Sequence, residues 1–272
     1  MSGFSFKKKN KIKYFTIDRF EDTGVVDHLF TTKDGGMSEG PFTSLNFGLN
    51  IGDLTDNIIE NFTRISHVLD TSIDKMVLSN QIHETNIRIV KQEDMGKGLI
   101  KDRDYNSVDG LVTNIKGIAL VTFFADCVPL FFLDPKNKVI GLAHAGWRGT
   151  VDKIGGKMLD ILIKNFGCEL DDILVGIGPS IGPCCYTVNE DVVNRFNTNF
   201  TNLNNVIKST DEDSYHLDLW QANREVLKEK GIKGRNIIIS KICTSCNNEI
   251  LYSYRKENGS TGRMAAIIKL KE

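Results

Sequence analysis

The sequence carries no surplus of either charge. Against 34 lysines and arginines stand 35 aspartates and glutamates, a formal net charge of −1 over 272 residues. A general binder of nucleic acid or of acidic membrane surfaces would carry a basic excess, so both partner classes are set aside. Long hydrophobic runs are also missing, and no stretch reaches the length of a membrane span. The start, MSGFSFKKKNKIKYF, is basic but lacks the following apolar run of a secretory signal. It reads as a basic extension over residues 1–14 of a cytoplasmic protein. No internal repeat and no low-complexity linker divides the chain. A hydrophobic content of 40% is enough for a large globular core, and 272 residues fit one large α/β domain or two small ones.

Cysteine and histidine are scarce, at six and five residues. Without an export signal, a disulfide framework is not expected. Cys243-Thr-Ser-Cys246 is a lone CxxC. A structural zinc ribbon needs a second pair at similar spacing, and the adjacent Cys184 and Cys185 do not supply it in sequence. The expectation is a plain turn after the strand NIIISKIC. Nucleotide-binding fingerprints are absent too. The glycine-rich run GIGPSIGPCCY is not a G-x-G-x-x-G that opens a helix, and it lacks the lysine of a P-loop.

What is present is a mixture of short strands and helices. VVDHLFTT, KMVLSNQ, NIRIV, IALVTFF, PLFFLD, KVIGLAHA, DILVGIG, NIIIS and MAAIIKL read as strands. IALVTFF and KVIGLAHA are apolar nearly throughout, as strands covered on both faces are. DNIIENFTRISHVLD, TVDKIGGKMLDILIKNF and LDLWQANREVLKEKG carry helical apolar stripes, the second weakened by Gly155 and Gly156. NTNFTNLNN (Asn197 to Asn205) reads as a polar surface loop. Strands and helices do not alternate strictly, which favours α+β layers over a doubly wound sheet.

Five stretches could carry chemistry. His83 follows the strand KMVLSNQ, where functional side chains gather, although a lone histidine is commonly a hydrogen-bonded core or surface residue. Asp126 and Cys127 sit at a proline-marked break between two apolar strands. A buried cysteine is usually inert, but a buried carboxylate must be paired. His144 ends KVIGLAHA, and the turn after it carries Arg148 and leads to Thr150, placed as a helix cap. Free N–H groups there, with Arg148, would suit phosphate or carboxylate, unless Arg148 simply pairs with an acid. The glycine- and proline-rich loop from Gly176 to Tyr186 could bring bare backbone to a ligand. Arg255 and Arg263 flank a glycine-rich turn that reads as a hairpin.

Taken together, the chain resembles the bacterial polyphenol oxidase or laccase-domain family, whose members are read as purine nucleoside phosphorylases. The resemblance rests on TTKDGGMSEGPFTSLNFGLNIGD, SNQIHE, DGLVT, ADCVPLFFLDP, GLAHAGWRGT, GIGPSIGPCCYTV, LDLWQANREVL and LYSYRKENGSTGRMAAI, in the family's order. It implies a layered α/β/β/α single-domain fold with mixed sheets. It also implies a metal held by His83, Cys127 and His144, either Zn²⁺ or, in its place, Cu²⁺. The activity implied is phosphorolysis of adenosine, inosine or methylthioadenosine, with adenosine deamination beside it. Its partners would be purine nucleosides and phosphate, acting on a monomer or weak homo-oligomer. Candidate substrate and phosphate contacts are Asn46, Ser79, Gln81, Arg148 and Arg255. Asp126 is a candidate for proton transfer or for orienting a ligand.

Three other readings compete. A copper polyphenol oxidase would need a multi-copper cluster, and His28, His67, His83, His144 and His216 supply too few imidazoles for one. A metal-free thiol hydrolase would use Cys127 as nucleophile with His83 or His144 as base. A non-enzymatic module would bind a nucleotide without turnover.

Overall fold

The computed structural model describes residues 3–203, 205–210 and 214–272. In chain order its strands are β1 (Phe4–Lys9), β2 (Ile12–Ile17), β3 (Val26–Thr31), β4 (Met76–Leu78), β5 (Ile87–Ile89), β6 (Gly110–Thr113), β7 (Ala119–Phe124) and β8 (Val128–Asp134). They continue with β9 (Val139–Ala145), β10 (Leu174–Ile177), β11 (Thr187–Val188), β12 (Ile207–Ser209), β13 (Tyr215–Leu217), β14 (Ile237–Ile239) and β15 (Met264–Leu270). The α-helices are α1 (Asp18–Glu21), α2 (Thr55–Val68), α3 (Trp147–Val151), α4 (Ile154–Phe166), α5 (Glu190–Asn199) and α6 (Leu219–Glu229).

Two six-stranded mixed sheets stack face to face. One has the order β1-β2-β3-β15-β7-β4, and the other β14-β10-β8-β9-β6-β5. β11, β13 and β12 form a small third sheet. The apolar strings on β7 and β8 follow from period-2 geometry with both faces covered. On β7, Leu120 and Phe124 face the space between the sheets, while Ala119 and Val121 pack under α2 with Ile58, Phe62 and Ile65. On β8, Phe131 and Leu133 join the inter-sheet core. Val128, Leu130 and Phe132 face the opposite way, toward Leu159 and Leu162 of α4 and Val226 and Leu227 of α6. The result is the expected α/β/β/α layering.

Several local expectations change. The basic start is not an appendage to the sheet. β1 and β2 pair along their full length, and β2 pairs β3, so residues 4–17 form an edge hairpin; Met1 and Ser2 lie outside the described residues. TVDKIGGKMLDILIKNF is two helices, α3 and α4, broken where Lys153 adopts φ 59°. Thr150 lies inside α3 rather than capping it, and its hydroxyl accepts a hydrogen bond from Asn223. α4 runs through Gly155 and Gly156. A Cβ on either would press on Leu130 and Leu227 or on Lys230 and Val226, so the glycines let α6 approach. The expected hairpin around Gly259 has only one strand, β15, because residues 254–259 form turns. Asn197 to Asn199 belong to α5 rather than to a loop; of the remainder, Asn204 lies outside the described residues.

His28 on β3 belongs to the core. Its ring lies between Phe20 and Phe131, and Nε2 accepts the Ile17 N–H at 2.7 Å. Burial, reinforced by the positive charges of Lys7 and Lys271, depresses the imidazole from 6.5 to about 3. The unfolded chain binds the proton that the folded chain refuses. The His28 share of stability is therefore complete above pH about 6.5 and erodes as pH falls toward 3. Between pH 7 and pH 5 it should cost about 2 kcal/mol. Urea titrations at the two pH values check this: His28→Gln, which keeps an acceptor for Ile17, should remove that part of the pH dependence. An unchanged difference would assign it elsewhere.

Candidate active site and metal centre

The site lies where the chain crosses between the two large sheets. β4 and β7 end in the first sheet, and β8 and β9 lie in the second. His83 follows β4, Cys127 occupies the crossing from β7 to β8, and His144 is the penultimate residue of β9. The backbone there is bent into unusual shapes. His83 has φ 66° and Asp126 has φ 92°, in the left-handed region that side chains with a Cβ rarely enter.

Hydrogen bonds hold both bends. The buried Asp109 carboxylate accepts the N–H groups of Ile82, His83 and Glu84 at 3.0–3.1 Å. It also meets His144 Nδ1 at 2.8 Å. Asp126 is pinned from three sides. Thr244 Oγ1 donates to Oδ1 at 2.6 Å, Arg255 N to Oδ2 at 2.7 Å, and Ile181 N to the main-chain carbonyl at 2.9 Å.

Each of His83, Cys127 and His144 offers one donor atom, and the three atoms lie within 4.8 Å of one another. The two imidazoles sit edge to face, 4.8 Å between centroids. Because Nδ1 of His144 is engaged by Asp109, Nε2 is the nitrogen left for an ion. The carboxylate–histidine–metal relay fixes tautomer and orientation in this way. Gly146 completes the cradle. A Cβ there would lie 3.2 Å from both Cys127 Sγ and a carbon of the His83 ring. Two nitrogens and a sulfur around a shared point fit a zinc-like ion with an open position. Electrostatics agree. Burial opposes ionisation of the Cys127 thiol, but the charges and hydrogen bonds of His144 and His83 bring it down to about 6. At His144 burial favours the neutral ring, yet the Cys127 thiolate and Asp109 raise it to about 9. Asp109 itself stays ionised despite burial, held low chiefly by His144 and the N–H groups of Ile82 and Glu84.

A cavity of about 650 Å³ opens onto this triad. Of the candidates, Ser79, Gln81, Asp126 and Arg255 line it, together with Arg103, Arg263, Phe123, Tyr186 and Tyr254. Ser79 Oγ donates to Gln81 Oε1 at 2.7 Å, and Gln81 clasps the Phe123 backbone with bonds of 2.7 and 2.8 Å. Arg255 lies across the Tyr186 ring and donates to Thr187. Burial lowers the guanidinium pKa of both Arg103 and Arg263, and among the described residues Arg103 Nε has no hydrogen-bond partner.

Two sequence candidates sit elsewhere. Arg148 is exposed and stacks on Trp147, 4.5 Å from the ring centroid, rather than forming the cavity wall. Asn46 is buried behind the wall. It bonds Asp53 through Nδ2, and its oxygen accepts the N–H groups of Gly48 and Arg263, both at 2.8 Å. Asn46 therefore shapes the segment from Gly48 to Ile51 instead of facing the cavity. Asp109 was missed as a site residue, although it opens DGLVT. Arg103 was missed as well, and nothing in its local sequence distinguishes it.

One further correction concerns the remaining cysteines. Cys184 and Cys185 are brought beside Cys243 and Cys246, and the four sulfurs lie within 4.8 Å of one another. The missing partner pair of the CxxC is thus supplied in space.

Comparison with known proteins supports the architecture. Residues 27–271 match the family described as multi-copper polyphenol oxidoreductase laccase. Purine nucleoside phosphorylase YlmD of Bacillus subtilis is 38% identical over 247 residues, covering 89% of this chain and 88% of that protein. The protein of the same name from Geobacillus stearothermophilus is 40% identical, covering 89% of each. The crystal structure of Bacillus licheniformis hypothetical protein YfiH superposes with a TM-score of 0.92 at 36% identity, covering 98% of this chain and 99% of that one. None of the helices among the described residues is long and apolar enough to cross a membrane. Matched over nearly its whole length in sequence and in fold, the chain belongs to the multi-copper polyphenol oxidoreductase laccase family, whose curated relatives carry the name purine nucleoside phosphorylase.

Proposed function

We propose that the protein catalyses phosphorolysis of purine nucleosides, giving free base and ribose 1-phosphate, with zinc at His83, Cys127 and His144. Adenosine deamination, in which water replaces the amino group at purine C6 and ammonia leaves, is assigned to the same site. The observation that carries this reading is a two-nitrogen, one-sulfur donor set opening onto a cavity walled by arginines and aromatic rings. A bound zinc ion would supply Lewis acidity and an activated water in that position.

The chain's own groups account for the rest. Phosphate must approach ribose C1′ while the C1′–N9 bond breaks. Arg255 and Arg263, with Arg103 beside them, provide the positive wall that holds a dianion, where each charge-assisted bond contributes about 1.5–3 kcal/mol. Phe123, Tyr186 and Tyr254 offer faces for the purine. Ser79 and Gln81 add polar groups to the cavity lining, with Gln81 held by the Phe123 backbone. Asp126 acts as a positioning group, since both carboxylate oxygens already accept hydrogen bonds that fix the turn carrying Cys127. A cavity of about 650 Å³ accommodates a nucleoside and phosphate together.

The test is incubation of metal-analysed protein with inosine, with and without phosphate. Hypoxanthine and ribose 1-phosphate should form only when phosphate is present. Binding without product would leave a nucleoside-binding module instead. Within that assay, Arg255→Ala should raise the KM for phosphate by about tenfold or more. Arg148→Ala, whose guanidinium lies on Trp147, should leave it within about twofold. The opposite ranking would move the phosphate site to the turn after β9.

A further inference from the structure

The cluster of Cys184, Cys185, Cys243 and Cys246 lies outside the nucleoside cavity and is unused by the chemistry above. We propose that these four side chains form a second metal site, a mononuclear tetrathiolate centre for zinc, which ties together the loop after β10 and the loop after β14.

The sulfur geometry is the primary argument. Cys246 Sγ lies 3.5 Å from Cys184 Sγ and 3.4 Å from Cys185 Sγ, and all four sulfurs fall within 4.8 Å of one another. A tetrahedral ion with metal–sulfur bonds of about 2.3 Å sets its thiolates about 3.8 Å apart. A disulfide would need sulfurs at about 2.0 Å. An iron–sulfur cluster would spread its terminal thiolates farther than a single ion does. The spacing fits one ion, and soft thiolate donors select thiophilic divalent metals, zinc foremost.

The loops are shaped for it. Cys243 opens a tight turn in which the N–H and the side-chain amide of Asn247 both bond the Cys243 carbonyl, at 3.1 and 2.8 Å. Such a turn brings the first and last residues of a CxxC to one side. Opposite it, the N–H groups of Cys185 and Tyr186 both return to the Gly182 carbonyl at 3.0 Å, turning Cys184 and Cys185 toward the pair. Gly182 N donates to Cys243 Sγ at 3.2 Å, the kind of N–H···S bond that stabilises a metal-bound thiolate. The two loops are already joined by a backbone bridge between Ser180 and Cys243. Binding balances as four thiols releasing four protons to solvent while a divalent ion takes the four sulfurs, leaving a complex of charge −2.

The location gives the ion a role. Ile181 and Thr244, one from each loop, both bond Asp126, and Tyr186 follows Cys185 directly into the cavity wall. Locking the loops together thus supports the turn that presents Cys127.

Metal counting tests this independently of turnover. Protein reduced, loaded with zinc and freed of excess should hold about two ions per chain by mass spectrometry. A His83→Ala/His144→Ala double variant should keep about one, and Cys184→Ser/Cys246→Ser, at two exposed positions, should also keep about one. Cobalt loaded into the histidine variant should give the strong charge transfer of four thiolates, whereas the serine variant should show only the weaker band of the single Cys127 thiolate. If the reduced histidine variant binds no zinc or cobalt while its thiols remain titratable, the centre does not exist. A disulfide through Cys246 that persists in reducing buffer would equally overturn it. Should the serine variant fail to fold, the wild-type and histidine arms still decide.

Discussion

Replacing His144 with alanine is expected to abolish phosphorolysis and deamination together, each falling at least about a thousandfold in kcat/KM. His144 is buried, and its Nε2 is the donor left free by Asp109. Removing it takes away one of three donors for the ion and leaves a hole beside Cys127. Cys127→Ala should match it in magnitude. In both variants, metal at this centre should be lost while the secondary structure stays intact by circular dichroism. The comparison also separates the thiol-hydrolase reading. If activity follows metal content and is restored by zinc after chelation, the thiolate serves as a ligand. If zinc-free protein is fully active and is silenced by alkylation of Cys127, it is a nucleophile. Retention of more than about a tenth of the activity by His144→Ala would mean that the triad is not the reacting centre.

Asp109 carries the second large effect because one carboxylate serves two tasks. It orients His144 and ties down three consecutive N–H groups around the left-handed His83. Asp109→Asn keeps the shape but weakens the charge-assisted bonds. The expected result is a fall of about 10–100-fold in zinc affinity, with activity recovered at excess zinc. Asp109→Ala strands buried donors and should cost about 3 kcal/mol or more of stability. Isothermal zinc titrations and urea melts read the two effects separately. Equal zinc affinity in Asp109→Asn and wild type would reduce the carboxylate to a purely structural anchor.

The layers were legible because the sequence encodes burial directly. The strings on β7, β8 and β9 are apolar on successive residues, and only a strand with both faces covered needs that. The metal donors were legible only through resemblance, since ligands 44 and 17 positions apart leave no local pattern. What spacing could not reveal was which polar residues are already committed. Asn46 and Asp126 read as candidates for substrate contact and for proton transfer or ligand orientation, but their atoms are occupied in holding loops. Arg148 looked like an anion hook because it follows a glycine turn, but the break at Lys153 limits α3 to five residues, and the side chain lies on Trp147. The CxxC of Cys243 and Cys246 reads as a plain turn because no second CxxC follows in sequence. Vicinal Cys184 and Cys185 meet the motif only after two loops, about 60 residues apart in sequence, converge.

The lysine-rich start takes on a different meaning once it is seen as an outer strand. β1 is the outer strand of its sheet, with β2 its only strand neighbour among the described residues, and such an edge could recruit a strand from another molecule. Lys7, Lys8 and Lys9 fall in that strand, with Lys7 paired to Glu21 and Lys9 reaching Val68 and Asp70. A second molecule docking there in matching register would set lysine against lysine and break those pairings. Lysines on an outer strand raise the cost of such docking, along a border that the fold leaves unsealed.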